Sequence, residues 1–497
     1  MKIKKIISGV FSIILVLIIP VFIFISCPEP EENIPDAAFN IENIGSPNLT
    51  ITIDSNTKYQ YVRGFGGMDS AWTSPKISIS EYETMFDPNK LGYNMFRIMI
   101  PPGSTNISTS MNSVHNNYIA AVKIVNKYNG YVLASPWSPP AAWKSNNSIN
   151  GGRGVHLKPE NYQNYANYLK SFAQYMSGNG APVYAISIQN EPNYQTDYDG
   201  CLWSPEQMRD FHKEVGRFTN GTSGRGGGKA VYPVKIMTGE SANHPNINNA
   251  ALDDPVSREA INLIGRHIYG NQQVRYAKAL DHATDPKEVW MTEFNKNSGN
   301  ASSYKNDYTW NYVWKFLNTV DLSIRLNDES AYIWWYSKRF YSLLGDGEYG
   351  SSSGAVLPRG YALSHYAKYA KEKDRIGVTV SGKTAGGVSV SAGSNFNNVY
   401  YYEDSVSARA TAFMSPDGDE ISIILFTPTN TSGSGGMDLG VVRINLPGNF
   451  TAASAKAIRS TSITKAGDQE VVLSDNKRYA LVKMPAGNIL SVRFEKE

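Results

Sequence analysis

The chain has 497 residues, 41% of them hydrophobic, with 47 Lys and Arg against 44 Asp and Glu. That length exceeds one ordinary domain and supplies apolar material for two cores. The formal charge of +3 falls to zero once Lys2, Lys4 and Lys5 are set aside (3 − 3), because no acidic residue precedes Cys27; a near-neutral body gives no support to nucleic-acid binding through a basic patch.

In chain order, a basic start is followed by an apolar run from Ile6 to Ile25 and then Ser26-Cys27, the layout of a secretory signal. About 20 apolar residues also suffice to span a bilayer, so a retained membrane anchor is the alternative. Phe24-Ile25-Ser26-Cys27 resembles the lipobox of bacterial lipoproteins, which implies cleavage before Cys27 and lipidation of that cysteine. The expected division is a signal peptide at 1–26 and a Pro- and Glu-rich tether at 27–40. Residues 28–36 resemble a surface-export signal, with a periplasmic spacer as the plainer reading. The expectation is an exported lipoprotein, attached by its lipid to the outer membrane or cell surface. Lipidated Cys27 leaves Cys201 as the one other cysteine, so stability must come from packing rather than disulfides.

Residues 49–54 alternate apolar and polar, as a strand with one exposed face should. Eight short apolar runs then recur at 62–65, 94–100, 131–135, 183–189, 234–239, 263–268, 288–292 and 331–335. Amphipathic stretches such as 162–175, 205–218 and 310–318 fall between them and read as helices. This alternation predicts an α/β fold, an eightfold β/α (TIM) barrel, over 61–374. From 375 to 497 the texture changes to β-branched and aromatic runs with Gly- and Ser-rich connections, at 376–390, 398–412, 420–426, 439–446, 455–459, 470–472, 479–483 and 489–494. These predict an antiparallel β-sandwich side domain, and residues 41–60 are expected to lend it strands before the barrel begins. The glycines at 221–228 form a loop without phosphate-binding spacing.

Two of the barrel runs end in glutamate. Glu191 closes Val183-Tyr-Ala-Ile-Ser-Ile-Gln-Asn-Glu191 and is followed by Pro192, which is expected to keep it extended. Glu293 closes Val289-Trp-Met-Thr-Glu293. At the carboxyl-end rim of one barrel such a pair cleaves a glycosidic bond. Glu191 is read as general acid and then general base, and Glu293 as nucleophile. Retention of configuration then demands roughly 5 to 5.5 Å between the two carboxyl groups. Glu191 is expected to be the more readily protonated of the two. Taken singly, either glutamate reads equally well as a structural ion-pair partner. The 31 Tyr and 9 Trp suit a groove for neutral sugars, although abundant aromatics are also ordinary core material.

The ordered motifs Gly64-Phe-Gly-Gly67, Ser135-Pro-Trp-Ser-Pro-Pro140, Ile188-Gln-Asn-Glu-Pro192 and Trp290-Met-Thr-Glu293 resemble glycoside hydrolase family 30. The resemblance runs from about 57 to 370 and extends to the terminal sandwich. It implies retaining hydrolysis, with Glu191 as acid/base and Glu293 as nucleophile. Cys201-Leu-Trp-Ser-Pro-Glu-Gln207 and Trp334-Trp-Tyr-Ser-Lys-Arg-Phe-Tyr341 further resemble the bacterial glucuronoxylanase subfamily. There the resemblance implies that Arg339, with Trp335 and Tyr341 nearby, grips a glucuronic acid branch of xylan through paired charge-assisted bonds; a rim ion pair is the alternative. Two departures bear on that role. Phe294-Asn295 stands where the subfamily has His-Tyr, leaving Asn295 as a hydrogen-bonding substitute, and Lys338 replaces an arginine.

Asn190 is expected to orient the sugar. Arg97 either orients the nucleophile or is a structural rim residue. Trp72, Trp137 and Trp143 are candidate sugar platforms or loop seals. His267 and Tyr269 resemble residues near the family's active sites, and Tyr269 is expected either to donate to Glu293 or to make an ordinary loop bond. The histidines form no dense ligand motif, so no catalytic metal and no cofactor are expected. The resulting expectation is a monomeric, retaining endo-β-1,4-xylanase, glucuronoxylanase-like, whose partner is xylan or a related plant cell-wall polysaccharide. The alternatives are another endo-β-glycanase, such as a β-1,6-galactanase or glucanase, and a non-catalytic glycan-binding surface protein on the same fold.

Overall fold

The structure is a computed structural model, and it describes residues 46–112, 114, 117–216, 234–270, 273–391, 407–427, 437–461 and 465–497. The signal segment, Cys27, the tether, the glycine tract at 221–228 and most of the run at 398–412 lie outside the described residues. Among the described residues no helix is long and apolar enough to cross a membrane.

Strand β1 (Leu49–Val62) buries Leu49, Ile51 and Ile53 on one face, as the alternation predicts. It runs directly into β2 (Gly64–Met68), the first barrel strand. The barrel continues with β3 (Met95–Ile100), β4 (Tyr131–Pro136), β5 (Ala185–Ser187), β6 (Lys235–Met237), β7 (Leu263–His267), β8 (Glu288–Glu293) and β9 (Ala331–Trp334). Parallel pairing of β2 with β9 closes the ring. These strands are covered on both faces, which is why they read as unbroken apolar runs. Met95, Leu133, Tyr184, Met237, Trp290 and Ile333 belong to the cluster that fills the barrel. Phe96, Val132, Ile186, Ile264 and Met291 join the larger outer core with the helices. The helix Tyr162–Gly178 shows the matching stripe, burying Tyr165, Ala166, Leu169, Phe172, Ala173 and Met176. At Gly66 the strands approach so closely that a Cβ would lie 1.8 Å from the Met95 carbonyl oxygen, so glycine is a steric requirement there.

Strands β5 and β6 are shorter than the runs at 183–189 and 234–239 suggest. The following residues leave the ladder to build the rim, where Asn190 N–H donates to the Pro136 carbonyl at 2.8 Å and Glu191 N–H to that of Glu240 at 2.8 Å.

The chain leaves the barrel through a helix at Pro358–Tyr369 and enters β10 (Lys373–Gly382). There follow β11 (Arg409–Met414), β12 (Glu420–Phe426), β13 (Gly440–Asn445), β14 (Ala452–Ser460), β15 (Gly467–Gln469), β16 (Val471–Leu473), β17 (Tyr479–Met484) and β18 (Ile489–Lys496). With β1 they make one ten-stranded sheet in the order β15-β14-β18-β12-β11-β10-β1-β13-β17-β16. All pairings are antiparallel except β1 with β13, which is parallel. β14 also approaches β16 near the other end, so the sheet folds over a single core containing Ile51, Ile421, Val442, Val482 and Val492. β1 is the shared piece, because its continuation is the barrel wall. His365, on the exit helix, faces the sheet and hydrogen-bonds Ser491 and Ser460, each at 2.8 Å.

Candidate active site

The carboxyl ends of the barrel strands surround a cleft of about 710 Å³ lined by Trp72, Trp137, Asn190, Glu191, Tyr194, Tyr198, Asp199, Ala242, Asn243, Tyr269, Glu293, Asn295, Trp335 and Tyr336. Glu293 is the last residue of β8, and Glu191 follows β5 by four positions. One oxygen of each carboxyl group lies within 4.8 Å of the other, matching a retaining pair and falling short of the roughly 6.5 to 9.5 Å of an inverting one.

Arg97, fully buried at the third position of β3, organises this rim. Its Nη1 donates to Glu293 Oε2 at 2.6 Å, and its Nη2 donates to Asn190 Oδ1 at 2.6 Å and lies 3.1 Å from Glu240 Oε2. The Trp137 ring sits over its guanidinium at 4.6 Å. His267 ends β7, where an irregular register pairs it with Glu293 rather than with Thr292; such a bulge re-aims a side chain. Its Nδ1 lies 3.0 Å from Glu191 Oε1, while Nε2 lies 3.9 Å from Glu240 and 4.0 Å from Glu293. Tyr269 donates to Glu293 Oε1 at 3.0 Å, and Asn295 Nδ2 donates to the Tyr269 hydroxyl at 3.1 Å.

The electrostatics follow from these contacts. Burial pushes the His267 imidazole down, but Glu293, Glu191 and Glu240 outweigh it and leave it at about 9. Burial pushes Glu240 up, yet Arg97 and His267 draw it down to about 2. Burial holds the Tyr269 hydroxyl well above its ordinary range, reinforced by Glu293 and Glu191, so it remains a donor. At Glu293, burial raises the pKa, helped by Glu191 and opposed by His267 and Arg97. The backbone corrects one expectation. Despite Pro192, Glu191 is not extended but stands at φ 46°, a left-handed conformation that costs energy and is held by its surroundings. Those surroundings are the Glu240 carbonyl on its N–H and the Gln189 side chain, which donates to the carbonyls of Trp137 and Asn190 at 2.7 and 2.8 Å.

The remaining sequence candidates divide. Trp72, Trp137 and Trp335 form one aromatic wall, with ring centroids 4.7 to 5.8 Å apart. Trp143 is not part of it: its ring packs edge-on against Tyr168, outside the cleft lining, because its short 3₁₀ turn faces the helix layer. Arg339 and Tyr341 are also absent from the lining. Tyr341 is buried against Phe340. Arg339 lies 3.5 Å from Asp346 and 3.6 Å from Glu348, so its guanidinium already faces two carboxylates. Lys338 is buried and donates to Glu81 at 2.7 Å, which removes it as a substitute cation.

Sequence reasoning missed Glu240, Tyr194, Tyr198, Asn243 and Tyr336. Glu240 had a usable signal, since it directly follows the run at 234–239, but no neighbouring motif singled it out. Glu191, His267 and Glu293 have donor spacing that could receive a cation. Arg97 already supplies positive charge to Glu293 and protonated His267 supplies it to Glu191, so the donor set is electrostatically committed.

Comparison with known proteins agrees with the geometry. Residues 106–318 match the model of the glycosyl hydrolase family 30 TIM-barrel domain. Glucuronoxylanase XynC of Bacillus subtilis (strain 168) is 27% identical over 327 residues, spanning 65% of this chain and 70% of that protein. A second Bacillus subtilis glucuronoxylanase XynC is 29% identical over 319 residues, 63% of this chain and 67% of its own length. The solved family 30 subfamily 8 xylanase Xyn30A from Clostridium acetobutylicum superposes with a TM-score of 0.72 at 23% identity, covering 90% of this chain and 99% of that one. A closed eight-stranded barrel, two acids meeting at its carboxyl rim and a match through its centre converge: residues 106–318 resemble a glycosyl hydrolase family 30 TIM-barrel domain, and the carboxylate spacing is that of a retaining glycoside hydrolase.

Proposed function

We propose that the protein is an endo-β-1,4-xylanase in which Glu191 is the general acid and then the general base, and Glu293 the nucleophile. The observation that carries this reading is the approach of the two carboxyl groups to within 4.8 Å at the wall of the cleft. Ionised Glu293, held by Arg97 and Tyr269, attacks the anomeric carbon while Glu191 gives its proton to the glycosidic oxygen. The carbon–oxygen bond breaks and the leaving chain departs with a hydroxyl end. Water then gives a proton to Glu191 as its oxygen displaces Glu293 from the anomeric carbon, with net retention.

Charge balance supports the starting state. Arg97 and His267 are cations facing Glu191, Glu240 and Glu293. One proton on the Glu191–Glu293 pair therefore brings the cluster to neutrality, leaving one acid and one carboxylate, as double displacement requires.

Xylan is favoured by the glucuronoxylanases that the chain matches and by a cleft whose aromatic wall suits the apolar faces of sugar rings. A glucuronic acid branch is accepted but not required in this proposal. Among the described residues, no lysine or arginine lines the cleft, and a uronate arriving at Arg339 competes with Asp346 and Glu348. The same observation favours a second reading, an endo-β-1,6-galactanase or glucanase, because a weak hold on uronate loosens the tie to glucuronoxylan.

Product masses and initial rates on glucuronoxylan, undecorated xylan, arabinoxylan and β-1,6-galactan test this. The expected outcome is release of xylo-oligosaccharides from decorated and undecorated xylan at similar rates. Cleavage of β-1,6-galactan alone overturns the xylan assignment, cleavage of glucuronoxylan alone overturns branch independence, and no product from any of them returns the chain to a glycan-binding role.

A further inference from the structure

Eight large apolar side chains are exposed among the described residues, and three of them, Trp72, Tyr194 and Tyr198, line the catalytic cleft. Exposure is thus concentrated where a ligand would cover it. Tyr194 and Tyr198, each 51% exposed, follow Glu191 on the same loop. They also line a second hollow of about 570 Å³, bounded by Asn150, Gly151, Gly152, Gln195, Thr196 and Asp197. The two hollows share these two rings as a common wall.

The loop carrying these rings is tightly built. The buried Lys144 ammonium donates to the carbonyls of Ile149, Asn150 and Gly200 at 2.8, 2.9 and 2.6 Å. Gly151 N–H donates to the Tyr198 carbonyl at 2.7 Å, Gly200 N–H to that of Ile149 at 3.2 Å, and Thr196 Oγ1 to that of Tyr198 at 3.0 Å. A Cβ at Gly151 or Gly200 would come within 2.4 or 2.1 Å of Thr196 Oγ1, so the loop closes only around glycine. A loop backbone fixed in advance loses little freedom when a ligand arrives.

We infer that the hollow beyond Tyr194 and Tyr198 extends the substrate cleft, stacking additional sugar rings of a neutral β-linked chain on the two tyrosines. Asn150, Gln195 and Asp197 stand ready to hydrogen-bond ring hydroxyls. Among the described residues neither hollow is lined by lysine or arginine, while Asp197 and Asp199 repel an acidic chain. The inference rests on the xylan reading and deepens it, since extra subsites select long substrates.

The test compares xylohexaose with xylotriose. For Tyr194→Ala and Tyr198→Ala, the ratio of kcat/KM on the hexaose to that on the triose falls about fivefold, the scale of one lost aromatic stack. Tyr194→Phe and Tyr198→Phe keep the ring and the ratio. Independently of any change in the loop, full-length protein carrying Glu191→Gln binds the hexaose at least tenfold more tightly than the triose in calorimetry. An unchanged ratio in the alanine variants, or equal affinity for the two lengths, overturns the groove alone. A wild-type enzyme inert on both oligosaccharides overturns the xylan reading and this inference with it.

Discussion

One strand, β8, carries a glutamate at each end, and the two have opposite characters. At its start Glu288 meets Arg63, whose Nε donates to Oε2 at 3.0 Å and to Oε1 at 3.2 Å and whose Nη2 donates to Oε1 at 2.7 Å, and Trp290 Nε1 also donates to it at 3.1 Å. There Arg63 is set directly against the carboxylate. At its end Glu293 shares Arg97 and His267 with Glu191 and Glu240. Here two cations answer three carboxylates, and the remainder is a proton with somewhere to go. The difference teaches that burial of charge does not distinguish a structural pair from a catalytic one, whereas an unfinished balance beside an open cleft does.

The sharpest way to break this comparison is to remove the reactive groups. Glu293→Gln lowers turnover by roughly 10³-fold or more on every substrate. Glu191→Gln falls as far on xylan but much less on an aryl xyloside whose leaving group departs without a proton. Steady-state rates on both substrates check this, and unchanged turnover in either variant refutes its assigned role.

Next in size is the contrast between Glu240→Gln and Glu288→Gln. Losing the Glu240 charge favours proton release from its neighbours, so the alkaline limb of the kcat/KM profile moves to lower pH and turnover falls about tenfold or more; Glu240→Asp restores part of it. Glu288→Gln leaves the pH profile in place and costs stability instead, by less than the roughly 3 to 5 kcal/mol of a fully buried pair, because the pair is only partly buried. A shifted profile in Glu288→Gln, or none in Glu240→Gln, removes the distinction between the two ends of the barrel.

The smallest effect sharpens the sign of each charge. His267 rises from 6.5 to about 9 on folding, so its contribution to stability is complete below about pH 6.5 and fades as pH climbs through 9. Glu240 drops from 4.5 to about 2, so its contribution is complete above about pH 4.5 and fades as pH falls through 2. Thermal melts are expected to lose a few degrees between pH 7 and 9.5, and His267→Asn flattens that slope.

Much of this was written in the sequence, because barrel strands buried on both faces announce themselves as apolar runs and two of those runs end in glutamate. What escaped was set by distance along the chain. The parallel pairing of β1 with β13 joins residues 49–52 to 442–445, which no local pattern records. The partners of Arg339 lie nearby, at Asp346 and Glu348, yet only the loop's path shows that they face it. Pro192 gave a sound local rule for Glu191, and tertiary bonding from Gln189 and Glu240 overrode it. Glu240 satisfied the same strand-end rule as the two acids and was passed over, since a lone glutamate after glycine has no company to mark it.

The parentage of β1 limits how far the enzyme can be trimmed. A protein engineer seeking a minimal catalyst would wish to stop soon after the exit helix, but β1 would then lose both of its lateral neighbours, β10 and β13. Leu49, Ile51 and Ile53 would be stripped of their cover just upstream of the first barrel stave. The flanking sheet is the hoop on that barrel, and a fusion partner is better appended after it than put in its place.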